Sequence, residues 1–206
     1  MAITYPLALP AAFKAAHVTL RAGSIVGEST SPFTLQSQTY VHQGQRWEAE
    51  IRLPPLQIDD GEDMAAFLLS LNGKEGTFLM GDPARPSPRG TATGAPVVDG
   101  AAQTGQTLAI RGATVSVTGW LKAGDWLQLG SGSGAHLHKV LADANSDGAG
   151  KVTLDIWPRL RASPADGAIV TLSNAVGLWR LSANISEWDI APARIYGMTL
   201  ACREAI

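Results

Sequence analysis

The sequence contains few residues capable of covalent chemistry and few charges. Its one cysteine, Cys202, excludes an internal disulfide and favours synthesis in a reducing cytoplasm. Charged residues make up 17% of the 206 residues and the formal net charge is −2, so we expect no surface specific for nucleic acid or anionic membrane. No run of about 18 apolar residues occurs, which argues against membrane insertion. No basic start followed by an apolar stretch marks a secretory signal.

Motifs of known catalytic sites are also missing. The chain has no G-x-S-x-G turn, and Cys202 lies in a predicted strand with no histidine nearby. Glu48 and Glu50 are explained by the exposed side of an alternating strand. We therefore predict that the protein is not an enzyme and uses no cofactor. A small hydrolase with carboxylates from distant segments is the least favoured alternative.

Glycine and proline are abundant, with 22 and 12 residues, and they favour many short strands joined by turns. The clearest strand is RWEAEIRLPPL, where apolar and polar residues alternate from Trp47 to Leu53 until Pro54 and Pro55 end the strand. Such alternation predicts one buried and one exposed face.

One helix is predicted, in the segment IDDGEDMAAFLLSLNGKEG. Asp60 is placed to cap its first turn, and Asn72 with Gly73 supplies a left-handed stop. Apolar residues recur at helical spacing and should face the core. They are Met64, Phe67, Leu68 and Leu71.

A change in composition indicates two domains. GDPARPSPRGTATGAP is typical of a linker, and beyond it short strand candidates alternate with glycine-rich turns, as in a small barrel. These candidates are TLAIRG, ATVSVTGW, DWLQLG, HLHKVLAD, KVTLDIW and AIVTLS.

Near the end, longer alternation returns from Trp179 to Ile185, followed by RIYGMTLACR. About thirty residues cannot form a stable domain alone, so we expect them to pair with the N-terminal strands. The predicted fold is mainly β: a split β-sandwich with one α-helix, residues 1–83 plus 175–206, and an inserted small OB-like β-barrel, residues 84–174.

The stretch AGDWLQLGSGSGAHLHKV raises two ligand hypotheses. Gly130, Gly132 and Ala135 fit a loose dinucleotide pattern, but the next residues alternate like a strand, so we predict a hairpin. His136 and His138 project to one strand face, which suits two metal ligands. Solvated histidines on an outer face are the simpler interpretation.

A partial calcium-loop pattern follows. Asp143, Asn145 and Asp147 match its start, but the twelfth position is Leu154 instead of glutamate, so a polar hairpin turn is favoured. Asp125 or Asp143 could complete a histidine site. We predict no metal site; the weak candidates are His136, His138, Asp143, Asn145 and Asp147.

The six tryptophans suggest a sugar-binding platform. Four of them belong to predicted core positions: Trp47, Trp120, Trp126 and Trp179. Trp157 and Trp188 lie beside turn-like segments and are the candidates for surface contact. A non-catalytic carbohydrate-binding module is therefore the alternative function.

Several motifs occur in one order along the chain: SPFTLQSQTYVHQGQRWEAEIRLPPL, then FLLSLNGKEGTFLMGDP after the helix start, then GLWRLSANISEWDI. This series resembles the distal tail proteins of long-tailed, siphovirus-type bacteriophages and prophages. The resemblance covers about the first eighty and last thirty residues. The middle, with GDWLQLG and HKVLAD, resembles an extra barrel that some such proteins carry.

The resemblance implies a structural virion protein that is made in the host cytoplasm and located at the tail tip. It would form a ring, typically a homohexamer, joining the tail tube and the tape-measure end to hub and fibre proteins. The inserted barrel would project outward as an adaptor or as a contact for a host-surface glycan.

Overall fold

The computed structural model of the protein describes residues 3–192 and 194–206. In this part of the chain the fold is mainly β with one α-helix, which confirms the fold class at that level. The helix α1 is Ile58–Ser70. The strands are β1 (His17–Thr30), β2 (Ser37–Arg52), β3 (Phe78–Met80), β4 (Gly94–Val98), β5 (Gly105–Ala113), β6 (Trp126–Leu129), β7 (His136–Val140), β8 (Val152–Leu160), β9 (Val170–Thr171), β10 (Gly177–Leu181), β11 (Trp188–Ile190) and β12 (Tyr196–Glu204).

The first sheet combines strands from both ends of the chain. Its order is β1-β2-β12-β10-β3, and β11 pairs with β12. All of these pairs are antiparallel. Trp47, Ile51 and Leu53 are buried on one face, as their alternation predicts. The strand around Trp47 therefore supports the core of the first sheet.

Helix α1 covers the buried face of this sheet. Its four predicted core residues are all buried, and both Asn72 and Gly73 adopt positive φ, as expected of the stop. The cap was predicted wrongly, because the helix begins earlier: Gln57 is the N-cap and makes no side-chain cap bond. Asp60 lies inside the first turn.

The second sheet is a nearly closed barrel with order β4-β5-β8-β7-β6-β9. A bridge between Val97 and Ile169 joins its two ends, and the Val98 amide donates to the Ala168 carbonyl at 2.9 Å. Its core is made of residues between Val98 and Leu172.

Two strand predictions fail. Residues 114–120 form turns instead of a strand, although Trp120 is fully buried and its indole donates to the Thr93 carbonyl at 2.8 Å. Strand β10 ends at Leu181, and Ile185 is 81% exposed, because Asn184 leaves the sheet to accept a bond from the Lys74 amide at 3.2 Å.

Strands β1 and β2 form a long hairpin whose outer half leaves the core. The register shifts between Ser24 and Val26, and we call residues 25–44 beyond this bulge the arm. Phe33 and Leu35 at its tip are 94% and 79% exposed. Among the described residues, no helix is long and apolar enough to span a membrane.

Candidate interaction surfaces

His138 lies inside the molecule, contrary to the prediction of solvated side chains, and His136 is half-buried. Strand β7 is central in its sheet, between β6 and β8, and its two histidines line a cavity together with residues 160–165. His138 is 2% exposed, and its Nδ1–H donates to the Pro158 carbonyl at 2.7 Å. Burial lowers the pKa of His138 to about 4 and also lowers that of half-buried His136, with nearby Arg161 adding to the effect on His136. Both imidazoles are therefore neutral at pH 7.

The predicted calcium-loop residues serve as turn acceptors. Asp143, Asn145 and Asp147 accept bonds from the backbone amides of Ala123, Gly119 and Lys151 at 2.7–2.8 Å. Within residues 3–192 and 194–206, no three His, Cys, Asp or Glu side chains are grouped as metal ligands. Asp125 likewise accepts from the amides of Arg89, Gly90 and Lys122. These side chains hold loops in place.

The glycine-rich stretch forms the predicted hairpin. Strands β6 and β7 pair directly, and Gly132–Gly134 between them forms a single 3-10 turn. Gly130 and Gly132 adopt positive φ, which glycine tolerates best. This stretch continues into a strand, so it has no helix N-terminus for a phosphate.

A cluster of tryptophans joins the two sheets. The Trp47 ring lies 5.0 Å from Trp126 and 4.3 Å, edge-on, from Trp157, and its indole donates to the Leu137 carbonyl at 3.1 Å. Trp157 is half-buried and packs against the first core, so part of its ring is taken up by packing. All four tryptophans predicted to lie in the core are buried: Trp47, Trp120, Trp126 and Trp179.

Trp188 lies on a different surface. It is half-buried in β11 and packs partly against the first core. With Glu187, Asp189 and Arg52 it lines a groove of about 610 Å³, which we call the Trp188 groove. Half-exposure leaves this tryptophan a sequence-predicted contact candidate.

A buried ion pair reinforces the joint between the sheets. Arg161 directly follows β8, and both terminal nitrogens of its guanidinium group donate to the Glu204 carboxylate at 2.6 Å. One of these nitrogens, Nη2, also donates to the Gln45 carbonyl at 2.7 Å. The Glu204 side chain is 1% exposed. Sequence reasoning missed this pair. The available signal was the two-residue alternation of β12 from Tyr196, which places the charged Glu204 on the buried face.

The open face of the first sheet, opposite α1, carries a row of charges. Across the strands the registered neighbours are Arg21, Glu48, Arg203 and Arg180. Arg46 and Arg52 lie on the same face of β2 by two-residue alternation. We call the five arginines of this surface, Arg21, Arg46, Arg52, Arg180 and Arg203, the arginine face.

Carboxylates neutralise only part of the arginine face. Arg21 pairs with Glu50 at 2.7 Å, and Arg46 pairs with Glu48 at 2.6 Å. Arg21 lowers the pKa of the Glu50 carboxyl by hydrogen bonding and charge. Sequence alternation placed polar residues on this face, but their alignment into a row depends on register between strands far apart in sequence.

Arg180 and Arg203 face each other directly across β10 and β12. Neither forms an ion pair with another described residue, and the buried Nε of Arg180 has no acceptor there.

Comparison with known proteins gave no matching family model and no matching curated protein.

Proposed function

We propose that this chain is a structural protein of a bacteriophage tail tip, a distal tail protein that assembles into a ring. The ordered motifs around Trp47, the helix and Trp179 support the family, and the exposed arm supports assembly. In this proposal the ring contains six copies and joins the tail tube and tape-measure end to hub and fibre proteins.

The arm is the observation that carries the proposal. Its exposed apolar side chains are Ile25, Val26, Phe33, Leu35, Tyr40 and Val41. No described strand pairs with the outer edge of β1. A protruding hairpin with apolar side chains and a free edge is favourable only when another chain covers it, and a closed ring covers every copy equally.

The finer architecture belongs to the same proposal. Residues 1–83 and 175–206 would form the ring domain, a split β-sandwich, and residues 84–174 an inserted OB-like barrel. In the first sheet the strands come from residues 17–80 and 177–204, and in the second from residues 94–171, which supports this division. The barrel would project as an adaptor or a host-glycan contact.

The test removes the arm. Replacing residues 25–44 by Asn-Gly joins Ser24 to its registered partner Gln45 through a two-residue hairpin turn. We expect sedimentation velocity and electron microscopy to show rings for the unaltered chain, with or without a tail-tube protein, and monomers for the arm-less variant. Circular dichroism should show that the sheets remain.

A milder variant and its control refine the result. Phe33→Ser with Leu35→Ser should weaken ring formation, whereas Ile185→Ser, an equally exposed apolar position outside the arm, should leave it unchanged. Rings that survive arm removal contradict the role of the arm. An unaltered chain that stays monomeric under every condition contradicts the ring.

A carbohydrate-binding module is the second candidate, and the Trp188 groove favours it. An indole beside carboxylates and a guanidinium offers an apolar face and hydrogen-bonding groups, as sugar sites require. Calorimetry against a soluble glycan panel should detect heat that is lost in Trp188→Ala and kept in Ile185→Ser. Absence of heat for every glycan contradicts this candidate.

A further inference from the structure

The arginine face has more positive charge than its own carboxylates balance. Its five arginines face Glu48 and Glu50, so two carboxylates are shared among five guanidinium groups. The whole chain has a formal charge of −2. Positive charge is thus concentrated on one side of the first sheet, and the compensating negative charge lies elsewhere.

Arg180 and Arg203 mark the centre of this excess. Like charges directly opposite each other on neighbouring strands destabilise a sheet, because their Cβ atoms are about 5 Å apart. Two adjacent guanidinium forks suit carboxylate oxygens, which would relieve the repulsion.

Negative charge of the matching kind lies on the opposite side of the same sheet. Helix α1 has four acidic residues and no basic one, and all four are exposed: Asp59, Asp60, Glu62 and Asp63. None of them forms an ion pair with a described residue. Glu62 accepts a bond from the Tyr196 hydroxyl, which leaves the three aspartates as the free carboxylates.

Helix α1 packs on the buried face of the sheet, where Gly61 lies against the Tyr196 ring and Phe67 contacts Phe78. The arginine face is the other face of that sheet. A single copy cannot bring the two surfaces together, because they lie on opposite sides of one sheet. Two neighbouring copies can, when the arginine face of one copy meets helix α1 of the next. Such a contact joins different surfaces of two copies, and contacts of this type generate rings when the rotation closes.

We propose that the arginine face binds the acidic first turns of α1 from a second copy of this chain, with Arg180 and Arg203 receiving its aspartates. This interface rests on the proposed ring and specifies which surfaces of neighbouring copies meet. The arm supplies apolar contact, while the charges fix orientation and accelerate association.

Charge reversal tests the contact in the full chain. The face variant is Arg180→Glu with Arg203→Glu, and the helix variant is Asp60→Lys with Asp63→Lys. By sedimentation at low salt we expect each to weaken self-association by about tenfold or more. The control is Lys14→Glu with Arg85→Glu, which reverses two exposed cations outside both surfaces and should assemble normally.

Mixing is the decisive measurement. At the substituted positions, the face variant has carboxylates on both surfaces, and the helix variant has cationic groups on both surfaces. An equimolar mixture therefore has a complementary partner for every surface, and we expect alternating rings to reappear. A chain carrying all four substitutions should also assemble, because the charges at these four positions are then exchanged between the face and the helix.

A neutral variant controls for misfolding caused by the charge reversal. Arg180→Gln with Arg203→Gln removes the repulsion within the sheet, so a loss of assembly with preserved circular dichroism can only reflect the lost contact. Rings that form equally well in the face, helix and neutral variants overturn this interface and leave the proposed ring intact. Absence of rings from the unaltered chain overturns the proposed function as well.

Discussion

At the residue scale, the burial of His138 makes the stability of the protein depend on pH. Its pKa lies near 4 in the fold and near 6.5 when unfolded, so the unfolded chain binds more protons between these values. Protonation of His138 therefore does not reduce the free energy of unfolding well above pH 6.5, and it reduces that free energy progressively as the pH drops toward 4. The slope from one proton is at most about 1.4 kcal/mol per pH unit, and His136 acts in the same direction.

We expect His138→Asn to reduce this pH dependence, because the Asn amide can still donate to Pro158 while lacking a titrating group. Urea unfolding at intervals from pH 4 to 7 measures the slope. His42→Asn on the exposed arm is the control and should keep the original slope. An unchanged slope in His138→Asn would show that His138 is not buried as a neutral group.

A second residue-scale prediction concerns the ion pair between Arg161 and Glu204. Removing Arg161 leaves a carboxylate that is 1% exposed without its charge partner. We expect Arg161→Met to lower the free energy of unfolding by about 3–5 kcal/mol, as for other broken buried pairs. Adding Glu204→Gln should recover much of that loss, since the amide oxygen can still accept from the Trp47 amide. Urea unfolding of both variants measures the difference. Equal stability of the single and double variants would contradict the cost assigned to the unpaired Glu204 carboxylate.

At the element scale, the contact of α1 with β12 depends on the absence of a side chain at Gly61. A Cβ there would lie about 2.4 Å from Cγ of Tyr196, whose ring is buried and whose hydroxyl binds Glu62. Alanine normally favours a helix by about 1 kcal/mol over glycine. We expect the overlap to outweigh this gain, so that Gly61→Ala lowers the free energy of unfolding by about 1–3 kcal/mol.

Gly134→Ala is the matched control, because a Cβ at that position meets nothing within 4 Å and the φ angle is not in the left-handed region. Its melting temperature should stay close to that of the unaltered chain. A melting temperature of Gly61→Ala at or above that of Gly134→Ala would mean that the helix can move away from β12.

Elements were predictable from sequence where local pattern and tertiary burial agree. The alternation from Trp47 and the helical stripe from Met64 each bury the expected face, because a single covering layer lies on one side. The pattern failed at residues 114–120, where Ser116 takes positive φ and Val115 is 55% exposed. Alternating apolar residues there fit a strand equally well, and only the fold distinguishes a strand from successive turns.

The candidate surfaces were harder to predict for the same reason. His138 and Trp157 occupy positions whose neighbours are set by pairing between β7 and β8 and by docking of the two sheets. The arginine face depends on registers that join residues more than 150 positions apart, as for Glu48 and Arg203. A two-residue period gives the face of a side chain but not its cross-strand neighbour.

At the scale of the whole molecule, the two cores differ in independence. Every residue of the second core lies between Val98 and Leu172. The first core, in contrast, includes Trp126 and Leu137 of the barrel. Deleting residues 84–174 would therefore expose Trp47 and leave Glu204 without Arg161, whereas the excised barrel keeps its own core intact.

We accordingly expect a fragment of residues 84–174 to fold alone and to unfold cooperatively in urea, because about 90 residues with a continuous core suffice for a small domain. Fully buried Trp120 provides the signal, as its fluorescence should shift to longer wavelength on unfolding. The control is the same fragment with Leu108→Asp, a charge at a fully buried position that should abolish the transition. The complementary chain lacking residues 84–174 should be less stable than the full protein and should regain part of that stability with Glu204→Gln. A fragment without a cooperative transition would mean that the barrel needs the first sheet, and the chain would then be one folding unit instead of a ring domain with an inserted module.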